Sequence, residues 1–237
     1  LLGRGGMGEV YVAQQVMVGR QVAVKLMRPE RRDDLTAYRR FIEEARSISA
    51  IQHPNVVTVH DFGQTGEGLL FLVMELVEGR PLSTVLSEER LSAARVVALA
   101  AQICSGLCAS HQAGIVHGDL KPSNVLVGRL AGIGELVKLL DFGLARVAGA
   151  TLPGGQLQGT PRYMSPEQAM GRPLDPRSDL YALGVMLYEM LAGHPPFSGA
   201  TPRLLAQHRS DAPPPLKDVS PGLSQLVMAC LAKSPEE

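Results

Sequence analysis

The sequence carries no excess of either charge, since 23 lysines and arginines offset 23 aspartates and glutamates over 237 residues. That balance leaves no footprint for nucleic acid and no field that would draw the whole molecule to an acidic membrane surface, so charge has to act locally. Cysteine is scarce. Cys104, Cys108 and Cys230 show no framework spacing, which argues against a disulfide-stapled fold and for a reducing compartment. Cys104 and Cys108 stand i, i+4 on one helical pattern, with no His or second Cys pair near to complete a metal site, and are expected in a core. No run of about 18 apolar residues and no secretory leader is read, so no membrane contact is expected within this segment. What is present, 45% apolar and 19% charged residues, suits an ordinary globular domain with room for one large unit or two lobes.

Apolar periodicity divides the chain. β-rich runs at 9–13, 21–25, 56–62 and 69–77 lie before residue 78, with the turn-rich 63–68 between the last two. A helical stripe of Phe41, Ala45, Ile48 and Ile51 falls among them, over 35–51. After Glu78-Gly79 the sequence is mostly helical. Ser92 reads as the N-cap of a helix carrying Val96, Leu99, Ala100, Ile103 and Leu107 and ending at Ala113-Gly114. Asp175-Pro176 opens another, with Leu180, Leu183, Leu187 and Leu191 on one face. Strands first and helices after predict an α+β fold of two unequal lobes, the small one over about 1–77, a hinge over about 75–79 and the large one over about 80–237. Ala212-Pro213-Pro214-Pro215 reads as a stiff surface connector. The start at Leu1 and the stop at Ser234-Pro235-Glu236-Glu237, straight after a helical pattern, are read as truncated ends of a domain from a longer chain.

Several stretches carry chemistry. Gly3, Gly5 and Gly8 make a G-x-G-x-x-G, but a dinucleotide site needs a strand before it and a helix after it, and here a strand follows. The other phosphate motif needs Gly-Lys-Ser/Thr, and Gly8 is followed by Glu9-Val10. What survives is either a flexible hairpin turn or a hairpin whose bare backbone can approach a triphosphate, with Lys25 as the positive charge. Glu44 lies on the inward stripe of its helix, where an unpaired carboxylate is costly, and Lys25 on the adjacent strand is the obvious partner; Glu43 points away. His117-Gly118-Asp119-Leu120-Lys121-Pro122-Ser123-Asn124 falls between a helix end and the strand-like Val125-Leu126-Val127, so it is a loop whose polar side chains converge. Asp141-Phe142-Gly143 alone reads equally as a turn or as an acidic ligand.

With Val22-Ala23-Val24-Lys25 and the stretch from Gly159-Thr160-Pro161 to Ser165-Pro166-Glu167, these ordered motifs resemble the protein kinases, above all the bacterial serine/threonine kinases of eukaryotic type. The resemblance spans nearly the whole chain. It implies a bilobal protein-kinase-like fold, with a small antiparallel β-sheet lobe holding one helix and a larger, mainly helical lobe. It implies transfer of the γ-phosphoryl group of ATP to serine or threonine hydroxyls of proteins. By resemblance Asp119 accepts the hydroxyl proton, Lys121 sits near the transferring phosphate, and Lys25, held by Glu44, contacts the α- and β-phosphates. Asn124 and Asp141 hold magnesium, with manganese as the alternative ion. Leu2, Gly3, Arg4, Gly5, Gly6, Met7, Gly8, Glu9 and Val10, with Ala23 and Leu126, enclose the nucleotide. Glu75 and Val77 offer backbone hydrogen bonds to adenine, and Met74 stands behind them. Asp179 resembles the buried acid that ties its helix to the catalytic loop, while His117 and the other histidines are structural.

Two departures stand out. The family arginine that pairs with the glutamate matching Glu167 would fall beyond Glu237, and Gly118 replaces the arginine usual before the catalytic aspartate. That arginine reaches a phosphate on the activation segment, so its loss implies basal activity largely independent of phosphate on Thr151, unless another residue such as Arg146 substitutes. Thr160, the other hydroxyl there, is by resemblance engaged with Asp119. The expectation is an active cytoplasmic kinase domain that acts on protein substrates, with homodimerisation left open, and whose full-length chain carries any membrane anchor elsewhere. The competing readings are a pseudokinase scaffold that keeps the fold and a small-molecule phosphotransferase. Retention of Lys25, Glu44, Asp119, Asn124 and Asp141 favours the active protein kinase.

Overall fold

The structure, a computed structural model, describes residues 1–4, 8–28, 34–130, 132, 134–142, 146–147 and 159–234, apart from the side chains of Arg40, Arg146 and Val147. Gly5, Gly6, Met7, Gly143 and Thr151 lie outside the described residues.

In the small lobe, β1 (Gly3–Arg4), β2 (Gly8–Gln15), β3 (Arg20–Met27), β4 (Val59–Gln64) and β5 (Leu70–Glu75) form one antiparallel sheet in the order β1-β2-β3-β5-β4. β3 is central. Burial alternates along its second half, with Ala23, Lys25 and Met27 buried and Val24 and Leu26 less so, as the period of 2 requires of a sheet packed more closely on one face. Its register sets Lys25 opposite Val10 on one side and Leu72 on the other. Between β3 and β4, α1 (Leu35–Ser49) begins where Asp34 accepts hydrogen bonds from the Thr36 and Ala37 amides. Such a cap contributes about 1 kcal/mol. The helix buries Phe41, Ala45 and Ile48 against the sheet, which brings Glu44 inward with them.

The strand expected from residue 56 begins only at Val59. Val56 bridges in parallel to Leu139, the Val57 amide donates to the Leu139 carbonyl at 3.0 Å, and the Leu139 amide donates to the Asn55 carbonyl at 2.8 Å. The β-branched run thus finds its first partner in the large lobe, a choice no local pattern specifies.

The large lobe contains β6 (Gly79–Pro81), α2 (Leu82–Glu88), α3 (Ala93–Gln112), β7 (Ile115–Val116), β8 (Val125–Leu130), β9 (Gly134–Leu139), β10 (Arg146–Val147), α4 (Pro166–Ala169), α5 (Pro176–Ala192), α6 (Thr201–Ser210) and α7 (Pro221–Cys230). It is mainly helical, but carries a three-stranded sheet in the order β6-β8-β9 and the pair β7 with β10. Strands of two or three residues are too short for periodicity to reveal. α5 is capped by Asp175 and Ser178, ends at Gly193 with φ 77°, and is buried on almost every side, as an all-round apolar helix must be.

Two expectations fail on α3. The helix has 20 residues and is apolar enough to meet the length and composition of a membrane span, although no such run was expected. Here it is a packing helix: Val96, Leu99, Ile103 and Leu107 are buried, and a Cβ added at Gly106 would lie 2.8 Å from the Leu139 side chain. Cys104 and Cys108 do share one side of it, but that side is exposed rather than in the core. Their spacing placed them together without deciding which way they face.

Candidate active site

Lys25 is 8% exposed, and its ammonium sits 2.5 Å from Glu44 Oε1 and 2.7 Å from Asp141 Oδ1. One cation therefore serves two carboxylates. Burial works against the Lys25 ammonium, but the two acids outweigh it and raise its pKa. Burial pushes the Glu44 carboxyl up to about 7, against the pull of Lys25 and with the help of Asp141. The second oxygen of Glu44 is buried without a hydrogen-bond partner among the described residues. Crowding by the cleft walls disfavours the ionised form of Asp141, yet Lys25 overrides it and holds the carboxyl at about 2.

Asp141 is also one of two non-glycine residues with positive φ among those described, at 58°. Aspartate tolerates this left-handed conformation better than most residues, and such outliers cluster at functional sites. Its flanks hold it there. The Leu140 amide donates to the Asn124 carbonyl at 2.9 Å, and the buried Phe142 ring packs 4.6 Å from that of His117. His117 Nε2 lies 3.0 Å from the Leu140 carbonyl, so the histidine is a buried brace for this turn.

The catalytic-loop candidate hangs from α5. Buried Asp179 accepts from the amides of His117 at 2.8 Å and Gly118 at 2.9 Å, and His111 Nε2 lies 2.7 Å from it. Gly118 takes φ 75°, where a side chain would be strained, and its carbonyl accepts from the Gln168 side-chain amide at 2.7 Å. Both backbone groups of Gly118 are thus engaged. Asp119 follows with Oδ1 accepting from Thr160 N and Oγ1, each at 2.9 Å, and Oδ2 accepting from Lys121 Nζ at 2.5 Å. Lys121 also donates to Thr160 Oγ1 at 2.8 Å. The Asn124 side-chain nitrogen donates to the Asp119 carbonyl at 2.9 Å, which leaves its amide oxygen without a partner among the described residues.

The glycine-rich stretch is only partly described. Leu2 is exposed and donates its amide to the Val10 carbonyl at 2.7 Å, Gly3 pairs with Val10, and Arg4 forms a 2.7 Å ion pair with Glu9. Gly8 is dictated by the sheet, because a Cβ there would lie 2.5 Å from the Leu26 carbonyl oxygen. Ala23 is buried opposite Met74, while Leu126 and Val77 are half-buried. The Glu75 side chain ties β5 to the large lobe, since its carboxylate accepts from buried Lys138 Nζ at 2.5 Å and from the Thr58 amide at 2.7 Å. Sequence reasoning missed Lys138 and Gln168. The signal for Lys138 was a lone lysine inside an apolar strand; Gln168 shows the Ser165-x-x-Gln168 spacing of a capping box, which forms at α4 but does not announce the contact with Gly118.

Among the described residues, no three His, Cys, Asp or Glu side chains converge into a metal cage. Asn124 and Asp141 could supply two hard oxygen ligands, which suits magnesium, an ion that keeps waters and substrate phosphates in its shell. The excess negative charge around Lys25 favours an added cation in the same way. The residues present fit a metal-nucleotide complex.

Residues 1–237 match the family described as protein kinase domain. The chain is 46% identical, over 95% of its length, to serine/threonine-protein kinase pkn2 of Myxococcus xanthus, and spans 28% of that protein. It is 43% identical to Pkn1 of the same organism and 40% identical to PknB of Mycolicibacterium smegmatis, each over its full length, and spans 35% and 39% of them. With a fold, a cleft and a whole-length match in agreement, the chain belongs to the protein kinase domain family.

Proposed function

We propose that this domain transfers the γ-phosphoryl group of ATP to serine and threonine hydroxyls of proteins. One observation carries the reading: Lys25 and Glu44 of the small lobe meet Asp141 of the large lobe in a single charge cluster, beside a loop that presents Asp119 and Asn124. The naming of the relatives as serine/threonine kinases supports the hydroxyl class.

Phosphoryl transfer needs positioning and charge neutralisation more than covalent chemistry. Asp119 takes the proton of the incoming hydroxyl, with its carboxylate aimed by the two Thr160 donors and by Lys121. Lys121 also offsets negative charge next to the transferred group. Lys25, kept in place by Glu44, binds the α- and β-phosphates. Asn124 and Asp141 would hold magnesium, or manganese in its place, and the metal supplies neutralisation of the phosphate charge. Leu2, Gly3, Arg4, Gly5, Gly6, Met7, Gly8, Glu9, Val10, Ala23 and Leu126 enclose the nucleotide, and the backbones of Glu75 and Val77 read adenine.

Incubation with labelled ATP, magnesium and generic protein substrates, followed by phosphoamino-acid analysis, tests the proposal. Phosphoserine and phosphothreonine are expected. Phosphotyrosine as the main product, or nucleotide binding without transfer, overturns it.

A further inference from the structure

His208 on α6 is completely buried and belongs to none of the groups just assigned a role. Both of its ring nitrogens are used. Nε2 lies 3.1 Å from the Arg162 carbonyl and Nδ1 lies 3.0 Å from the Tyr181 hydroxyl. A carbonyl only accepts, so Nε2 carries the proton; in the neutral ring Nδ1 then accepts from Tyr181. Lys233 completes the direction of the chain, because its ammonium donates to the Tyr181 hydroxyl at 2.9 Å. The same ammonium donates to the Gln207 and His208 carbonyls at the end of α6 and lies 4.6 Å from the centre of the Phe197 ring. A protonated His208 would place a second cation beside Lys233 and compete for the hydroxyl. Burial, reinforced by Lys233, holds the ring neutral, with its pKa lowered to about 4.

Arg162 lies in the short 3-10 turn Pro161–Tyr163, immediately after Thr160. That turn is fixed at both ends. Thr160 is bonded to the Asp119 carboxylate, the Tyr163 amide donates back to the Thr160 carbonyl at 2.9 Å, and the Arg162 carbonyl is held by His208. We propose that His208 is a positioning residue for the protein substrate: through the Arg162 carbonyl it sets the 160–163 turn, whose Thr160 is bonded to the proposed base Asp119 and so borders the place where the substrate hydroxyl must come. Tyr181 and Lys233 set the histidine in turn, so α5, α6 and the segment that follows α7 all act on substrate placement. This inference rests on the proposed kinase activity.

Two polar substitutions separate positioning from mere packing. The amide of glutamine can occupy the place of Nε2 and keep the donor to Arg162, whereas that of asparagine reaches only the place of Nδ1. Purified wild type, H208Q and H208N are compared for peptide KM, kcat and the affinity for magnesium-ATP. H208N is expected to raise peptide KM roughly tenfold, about 1.4 kcal/mol, with nucleotide affinity unchanged, and H208Q to stay within about twofold of wild type. Faster amide exchange at Tyr163 in H208N alone would accompany this. Equal damage in both variants, equal losses of nucleotide affinity and peptide KM, or no change in H208N overturns the inference. Wild type that binds nucleotide and phosphorylates nothing overturns the activity reading itself, and the inference with it.

Discussion

Lys25 Nζ and Asp141 Oδ1 lie 2.7 Å apart, although 116 residues separate them in the chain. The contact joins the centre of the small-lobe sheet to the turn after β9, so the cleft between the lobes is closed by an ion pair at its chemical centre. Because Lys25 is also bonded to Glu44, removing the lysine leaves two carboxylates without their cation, one of them buried, whereas removing either acid leaves a matched pair.

Asp119→Asn deletes the proposed proton acceptor and leaves the proposed nucleotide contacts in place. Phosphoryl transfer is expected to fall by about two to four decades, with nucleotide affinity near that of wild type. Lys25→Met is expected to impair nucleotide positioning and transfer together. Parallel titration and turnover measurements decide, and normal turnover in Asp119→Asn would remove its assignment.

Glu44 gives stability a pH dependence of known sign. Its carboxyl is raised from an ordinary 4.5 to about 7 by burial, so the folded state binds that proton more tightly than the unfolded chain. The associated stability is fully present below about 4.5 and is lost as pH rises through about 7. Asp141 runs the other way: its contribution is present above its ordinary 3.8 and is lost as pH falls through about 2. Thermal unfolding of Glu44→Gln should therefore show a flatter decline of Tm between pH 4.5 and 7 than wild type. An unchanged slope would mean that another group governs that window.

Gly193→Ala is expected to destabilise the fold and leave phosphoryl transfer intact. The residue ends α5 at φ 77°, and an added Cβ would fall 1.2 Å from Arg90 Nη1, which now donates to the Ala192 carbonyl at 2.8 Å. The left-handed backbone alone costs about 1–2 kcal/mol for a residue with a side chain. Denaturant unfolding of the single variants and the Arg90→Ala double variant should show the arginine-dependent share of the loss disappearing.

Gly118 predicts a kinase whose basal rate does not depend on phosphate at Thr151. Its amide is held by Asp179 and its carbonyl by Gln168, so the loop is placed through its backbone. A charge-assisted contact from an arginine would contribute about 1.5–3 kcal/mol, or roughly one to two decades in rate. Turnover of Thr151→Ala and of phosphatase-treated wild type should stay within a few-fold of the phosphorylated protein, whereas a loss of about a hundredfold would refute the idea.

The main elements, the Lys25–Glu44 pair and the polar loop at 117–124 were legible in the sequence because each rests on local physics, while the roles of Asp119, Asn124 and Asp141 came from the resemblance. Periodicity placed Glu44 on the inward face of α1, the cost of a buried carboxylate required a cation, and Lys25 was the cation on the neighbouring strand. The loop at 117–124 announced itself by polar residues between a helix end and a strand, and Asp175-Pro176 marked the start of α5. What the tertiary structure alone decided is which distant groups share a place. His208 with Arg162, Lys138 with Glu75, and Gln168 with Gly118 are 46, 63 and 50 residues apart. Helical and strand periods state which face a residue occupies, but the packing of α4, α5 and α6 states what that face meets. The exposed cysteines of α3 and the diversion of Val56 to β9 have the same cause: a local pattern fixes neighbours along one element, and only the assembled core fixes neighbours across elements.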